Sequence, residues 1–298
     1  MPRIKFLPLI LLLSLGVIWG TGYSIARFAM THGVPALGYS FWQALGPAIL
    51  LTSILIFKNK NSTTTTSKLK YYFICALTGV VIPNTNMYFA SPHLPAGLLA
   101  VIVNTVPIIA YPLALLGGIE KYNFRRLMGI VIAIIGLMLI LTPKSSLPSP
   151  HMIPWVLSVL ITPISFAFCS VYIARFRPAN TDSLGISAGT LIFASMILLP
   201  FVLYTHTFYT FHWLPTIPDW VVLLEIVLSS IGYVLFFQLI KIAGPVYYSL
   251  VDTIVALTGL AWGYILFHEH LNAWTAPAVF CILIGLLLVS SSSQKKID

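Results

Sequence analysis

The chain has 298 residues, 58% of them hydrophobic and 8% charged, with a mean hydropathy of +0.95. Soluble domains typically carry charge on about a quarter of their residues, which excludes an ordinary water-soluble fold and points to an integral membrane protein. The formal net charge of +9 raises nucleic acid as a partner, and the placement of the charges answers that below.

Ten apolar segments follow one another, each near the ~20 residues a bilayer requires. They run roughly 6–29, 35–57, 69–90, 94–117, 124–142, 152–174, 184–204, 219–240, 245–267 and 273–292. The first follows a basic start, Arg3 and Lys5, but its run to about Ala29 is longer than a signal-peptide core, and no small-residue cleavage site follows it. It is expected to be a retained transmembrane helix. Most connections are short, so successive helices should be antiparallel. The longest are the Ser/Thr/Lys stretch 58–68 and the aromatic and His-rich stretch 205–218.

With the N-terminus inside, Arg3, Lys5, Lys58, Lys60, Lys68, Lys70, Lys121, Arg125, Arg126, Arg175, Arg177, Lys241, Lys295 and Lys296 all fall on the cytoplasmic side. Only Arg27 and Lys144 lie toward the other face, so 14 of 16 basic residues obey the positive-inside rule. An even helix count and cytoplasmic N- and C-termini follow. The basic excess is then a topology signal near lipid headgroups, and no nucleic-acid partner is expected. Cys75, Cys169 and Cys281 sit singly in apolar runs, without disulfide or zinc spacing. No metal or cofactor is expected.

Glu120-x-x-Asn123 stands between segments 4 and 5, and Glu269-x-x-Asn272 repeats it 149 residues later, with Gly136 and Gly285 at the same offset. The chain therefore reads as two copies of one unit, 1–146 and 147–298. Five helices per copy is an odd number, so the second copy enters the membrane inverted. Ile25-Ala26-Arg27-Phe28 and Ile173-Ala174-Arg175-Phe176 close the first helix of each copy. Inverted repeats are the architecture of alternating-access transporters, with the solute site near the midplane. Each Asn stands where a helix N-cap belongs, and each Glu stands near the positive end of the helix that follows. Both pairs read first as structural turns rather than as ligands.

Taken together, the two Glu turns, the glycine-bearing helices after them, and Ile18-Trp19-Gly20 with Ile25-Ala26-Arg27-Phe28 in segment 1 resemble the EamA-type drug/metabolite transporter superfamily over nearly the whole chain. Members often carry Arg in the second helix, where this chain has Gln43, so no role of that Arg is carried over. The resemblance implies transport of amino acids, related metabolites or drugs in a bacterial inner membrane. Export is commoner in the family, and relatives that take up host metabolites are known.

Polar residues inside lipid should face a cavity or another helix. Helical stripes of polar, small or aromatic residues mark segments 1, 3, 4, 6 and 9 as lining a pathway, joined by segment 8, with segments 5 and 10 as outer supports. Candidate solute-binding residues are Trp19, Tyr23, Asn84, Tyr88, Asn104, Tyr111, Tyr172, Tyr248, Asp252 and Trp262. Asp252, about 10 Å into its helix, needs a partner, water or a proton. It binds a solute ammonium, carries a coupling proton, or pairs structurally with a neighbouring helix. Glu225, near the outer end of segment 8 and expected within reach of interfacial water, is a weaker candidate. Pro107 and Pro112 permit kinks in segment 4. All seven histidines map to the outer side, as pH or metal sensors or as residues free of the positive-inside constraint. No P-loop, H-E-x-x-H or G-x-S-x-G is present, so an enzyme is not expected.

The sequence thus predicts an all-α integral membrane protein that moves a small organic solute by alternating access. The alternatives are a facilitative channel-like pore, an exchanger taking up a host metabolite and, further off, a membrane-embedded enzyme. Its expected partners are a small-molecule substrate and the lipid bilayer, and a monomer would suffice.

Overall fold

A computed structural model describes residues 6–58, 66–141, 150–178, 181–248, 250–269 and 275–291. Among them the secondary structure is helical throughout, and each apolar segment expected from the sequence is helical over its described part. The first half contains α1 (Leu7–Thr31), α2 (Ala36–Phe57), α3 (Thr66–Ala76), α4 (Ile82–Ala90), α5 (Ala96–Val103), α6 (Val106–Leu116) and α7 (Phe124–Leu141). The second contains α8 (Ile153–Val159), α9 (Ile161–Phe176), α10 (Ser183–Tyr204), α11 (Ile217–Tyr248), α12 (Leu250–Phe267) and α13 (Thr275–Ser291). Eight helical spans are long and apolar enough to cross a bilayer, and α7 and α13 are two further apolar helices.

Three of the spans are broken, and each break stands beside a proline. A proline ring clashes with the carbonyl four residues earlier and removes one helical hydrogen bond. Pro107 lies four residues after Val103, where α5 stops. Pro163 lies four after Val159, where α8 gives way to α9. Pro83 lies four after Gly79, inside a π-turn at Leu77–Val81 that joins α3 to α4. Side chains take up polar groups at these breaks. Asn104 Nδ2 donates to the Ala100 carbonyl at 2.6 Å, and Thr105 Oγ1 donates to that of Ile102 at 2.7 Å. Asn86 Nδ2 donates to the Ser158 carbonyl at 2.8 Å, while Thr162 Oγ1 donates to that of Pro83 at 3.1 Å. Without water in the bilayer core, such internal pairing is what permits a broken helix there.

The helices pack across the midpoint of the chain rather than within each half. Thus α1 lies against α11 and α12, α2 against α10 and α11, α5 against α12, α6 against α9, and α7 against α13. Small residues allow the closest approaches, as expected where lipid supplies no hydrophobic drive between helices. A Cβ at Gly136 would stand 2.7 Å from the Ala278 carbonyl oxygen, and one at Gly285 would stand 2.5 Å from that of Gly129. Ile10, Leu13 and Val17 on α1, and Phe201 and Leu203 on α10, face outward. Gln43, Asn84, Asn104, Glu225 and Asp252 are buried inside. This apolar-out, polar-in arrangement suits a molecule whose outer solvent is lipid.

The helix ends are shaped by local backbone chemistry. Gly118, at φ +66°, ends α6 in a left-handed turn. There its N–H donates to the Leu115 carbonyl at 3.0 Å and Ile119 N–H donates to that of Ala114 at 2.9 Å. Asn123 caps α7 as its position predicted, its Oδ1 accepting from Arg126 N–H at 3.3 Å. Asn272 lies outside the described residues. The 205–216 connection is tied down by Asp219 in the first turn of α11. Its carboxylate accepts from Tyr209 Oη, Thr216 N–H and Thr216 Oγ1, each at 2.7 Å, and lies 3.0 Å from His212 Nδ1. Burial, followed by the bond to Asp219, pushes the Tyr209 phenol up to about 12, which keeps it a donor.

A candidate solute cavity between the halves

Two of the three helix breaks open onto a central cavity. Gly79 and Val80 of the π-turn, and Val103, Asn104 and Val106 beside the α5–α6 break, form part of its wall. A second cavity shares Val106, Ser170, Tyr248 and Asp252 with the first and continues along α6 to Glu120 and Arg126.

Trp19, Tyr23, Asn84, Tyr88, Asn104, Tyr248 and Asp252, all expected from the sequence, are brought together around the first cavity. Tyr111 lines the second cavity only. Its hydroxyl donates to the Lys121 carbonyl at 3.0 Å and accepts from Asn123 N–H at 2.7 Å, so it holds the Glu120 turn in shape. Tyr172 and Trp262 line neither cavity. Tyr172 stacks on Tyr71 with ring centroids 5.8 Å apart, and Trp262 Nε1 donates to Thr21 Oγ1 at 2.9 Å.

One wall is aromatic. Trp19 packs against Phe236, Tyr233 and Tyr248 at centroid distances of 5.4, 6.3 and 6.3 Å. Gly232 makes room for it, since a Cβ there would lie 2.5 Å from Trp19 Nε1. Another wall is a polar chain running in one direction. Asn84 Nδ2 donates to Gln43 Oε1 at 3.0 Å and to Tyr233 Oη at 3.3 Å. Gln43 Nε2 donates to Ser229 Oγ at 3.1 Å, and Ser229 Oγ donates to Glu225 Oε1 at 2.8 Å. Across the cavity, Asn104 Nδ2 donates to Tyr23 Oη at 3.0 Å.

Glu225 is buried in this wall, not placed at interfacial water as its sequence position suggested. Its helix starts at Ile217, which sets Glu225 about 12 Å along the axis. Tyr233, Phe236 and Thr190 are further lining residues that the sequence reading passed over. Glu225, Ser229, Tyr233 and Phe236 fall at helical spacing on one face of α11, and that stripe was the available signal.

The two Glu turns are engaged differently. Glu269 leaves its own connection and reaches the start of α5, accepting from Ala96 N–H at 2.7 Å and from Gly97 N–H at 3.0 Å. It also forms an ion pair with Arg27 of α1, whose guanidinium lies 4.6 Å from the Phe267 ring centroid. One carboxylate therefore ties α1, α5 and the end of α12 together. Glu120 instead pairs with Arg126 of its own turn at 3.1 Å. Arg175, which echoes Arg27 in the sequence, donates to the Gly117 carbonyl at 2.8 Å. The cavity system reaches Glu120 at one end, while Glu269 binds the helices together at the other.

A multi-pass bundle with a polar and aromatic cavity between two cross-packed halves is the form of a membrane transporter. The model of the EamA-like transporter family matches residues 6–142 and again 153–291, and the chain belongs to that family. Among its relatives is the uncharacterized transporter YvbV of Bacillus subtilis, 22% identical over 96% of this chain and 92% of that protein. YoaV of the same organism, also an uncharacterized transporter, is 22% identical over 93% of this chain and 92% of that protein. The uncharacterized inner membrane transporter YedA of Escherichia coli K12 is 29% identical over 60% of this chain and 56% of its own length. A solved crystal structure shares the fold at a TM-score of 0.66 and 17% identity, covering 95% of this chain and 98% of that one.

Proposed function

We propose that the chain is a secondary transporter carrying a small organic solute, such as an amino acid or related metabolite, across the inner membrane by alternating access. In this reading ten transmembrane helices form two inverted five-helix repeats, 1–146 and 147–298, with both termini in the cytoplasm. The observation that carries it is the asymmetry of the two ends. Helices around the cavity are bound together at Glu269, whereas the continuation at Glu120 is open.

The packing supports the repeat. Offsetting residues by 149 turns the approach of Gly136 to Ala278 into that of Gly285 to Gly129, and both are close backbone contacts. Exchanging the halves likewise turns the α1–α12 contact into the α6–α9 contact, and the α2–α11 contact into the α3–α10 contact. Two such halves can rock against one another around a fixed site, as inverted repeats do. The family points to transport rather than to enzyme chemistry. Trp19, Tyr23, Asn84, Tyr88, Asn104, Tyr248 and Asp252 are then solute contacts, and Asp252 is the proton-coupling candidate. A continuous pore is less well supported, because Glu269 ties one end shut.

The test is counterflow in proteoliposomes, screening labelled amino acids and common metabolites with and without an imposed pH gradient. Saturable, trans-stimulated flux is the expected result. Flux that rises linearly with concentration would overturn the carrier reading in favour of the pore.

A further inference from the structure

We propose that the occupant of the central cavity is an organic cation, a protonated amine or similar onium group, held by Asp252 and Glu225 together. The proposal rests on the reading of this cavity as the solute site, and it narrows the solute from amino acids and related metabolites to amines and similar cations related to them. Asp252 and Glu225 are 4% and 7% exposed, and both line the cavity. One oxygen of each, Asp252 Oδ2 and Glu225 Oε2, is buried without a hydrogen-bond partner. No lysine, arginine or histidine is among the described residues lining this first cavity. Arg126 lines the second cavity, which Asp252 also lines, and is paired there with Glu120.

Elsewhere in the described structure, interior charge is balanced by protein groups: Arg27 meets Glu269, and Arg126 meets Glu120. Here two carboxyl groups share one cavity without a basic partner, a costly arrangement unless the occupant supplies positive charge or protons. The polar wall has the matching polarity. Its donors run from Asn84 through Gln43 and Ser229 and end on Glu225 Oε1, leaving Oε2 to accept from something else. An ammonium group has donors and no acceptor, so it complements both free oxygens. Trp19, Phe236 and Tyr248 line the same cavity, and aromatic rings of this kind carry the quadrupole that attracts a desolvated cation. In the first cavity an anion would meet two carboxyl groups and no basic side chain, Arg126 of the second being taken up by Glu120. A carrier of anions or zwitterions would be expected to place at least one guanidinium or ammonium here.

The test is equilibrium binding to the purified full-length chain in detergent, with probes of one shape and different charge. Tyramine is the cation, tyrosine the zwitterion and 3-(4-hydroxyphenyl)propionate the anion, with spermidine as a second cation of different shape. Binding of at least one cation is expected, at least tenfold tighter than the anion and the zwitterion. Asp252→Asn or Glu225→Gln should weaken it tenfold or more. If either isosteric variant does not fold, the wild-type charge series alone decides. Saturable binding of neither cation overturns the proposal. So does anion or zwitterion binding equal to the cation's, or cation affinity unchanged in both variants. Cation binding without saturable counterflow would overturn the transporter reading and leave this assignment standing. Counterflow of a neutral or anionic solute without cation binding would do the reverse.

Discussion

Glu269 and Arg27 face each other from opposite halves of the chain, and the same carboxylate accepts the first two N–H groups of α5. A charge-assisted hydrogen bond contributes about 1.5–3 kcal/mol, and Glu269 makes two besides the ion pair. Glu269→Gln keeps the shape and removes the charge. Cys75 and Cys169, which line the cavity, are native reporters of access. In a Cys281→Ser background, Glu269→Gln should raise their labelling by a membrane-impermeant maleimide from the Glu269 side by about tenfold or more. Unchanged labelling from that side would show that the carboxylate does not hold this end closed.

The α7–α13 contact leaves no space for a side chain where Gly285 meets the Gly129 carbonyl. Overfilling a close-packed contact typically costs about 1–3 kcal/mol. Gly285→Leu should lower the melting temperature in detergent by several degrees, measured by fluorescence-detected size exclusion after heating. A melting temperature equal to the parent's would place the two helices farther apart than described.

Gln43 sits midway along the polar chain that ends on Glu225. Gln43→Arg would put a guanidinium within reach of that carboxylate and supply the positive charge this wall lacks. Tyramine or spermidine affinity should fall about tenfold, with the thermal stability kept or raised, because a buried charge gains a partner. Undiminished affinity would show that Glu225 does not contact the solute.

Asp219 gathers four polar contacts from the 205–216 connection, whose Tyr209 carbonyl also accepts from Trp42 Nε1 at 2.7 Å. Asp219→Ala should release this connection from α2 at a cost of about 1–3 kcal/mol. Limited proteolysis would read the release as faster cleavage between 205 and 216. An unaltered cleavage rate would mean that the aromatic contacts of Trp42 with Phe208 and Phe211 suffice to hold it.

The sequence carried much of the fold because lipid imposes period and length on each span, and because Asn123 needed only its local position to be read as a cap. Most of the cavity was legible for a related reason: a polar group in an apolar helix must face something polar. Tyr172 shows the limit. It continues the stripe of Ser165 and Cys169 on α9, but its ring stacks on Tyr71 of α3, and which neighbour a residue on a stripe meets is a tertiary property. Glu269 shows another. Its turn position was evident, but its reach to Ala96, 173 residues away in the chain, depends on how α12 packs against α5. Glu225 was undervalued because depth was judged from an apolar run whose helix begins earlier.

The cross-chain pairing of helices also constrains how the protein is made. While only residues up to the midpoint exist, α1, α2 and α7 lack the partners α12, α10 and α13 against which they pack. At about 5–20 residues per second, the second half takes roughly 8–30 s to emerge. During that interval the small-residue faces of the first half have only lipid or the insertion machinery to meet, and Gln43 and Asn84 have each other but lack Ser229 and Tyr233. Assembly therefore waits on the last helix, and a chain stopped before α13 should be a substrate for membrane quality control rather than a smaller working transporter.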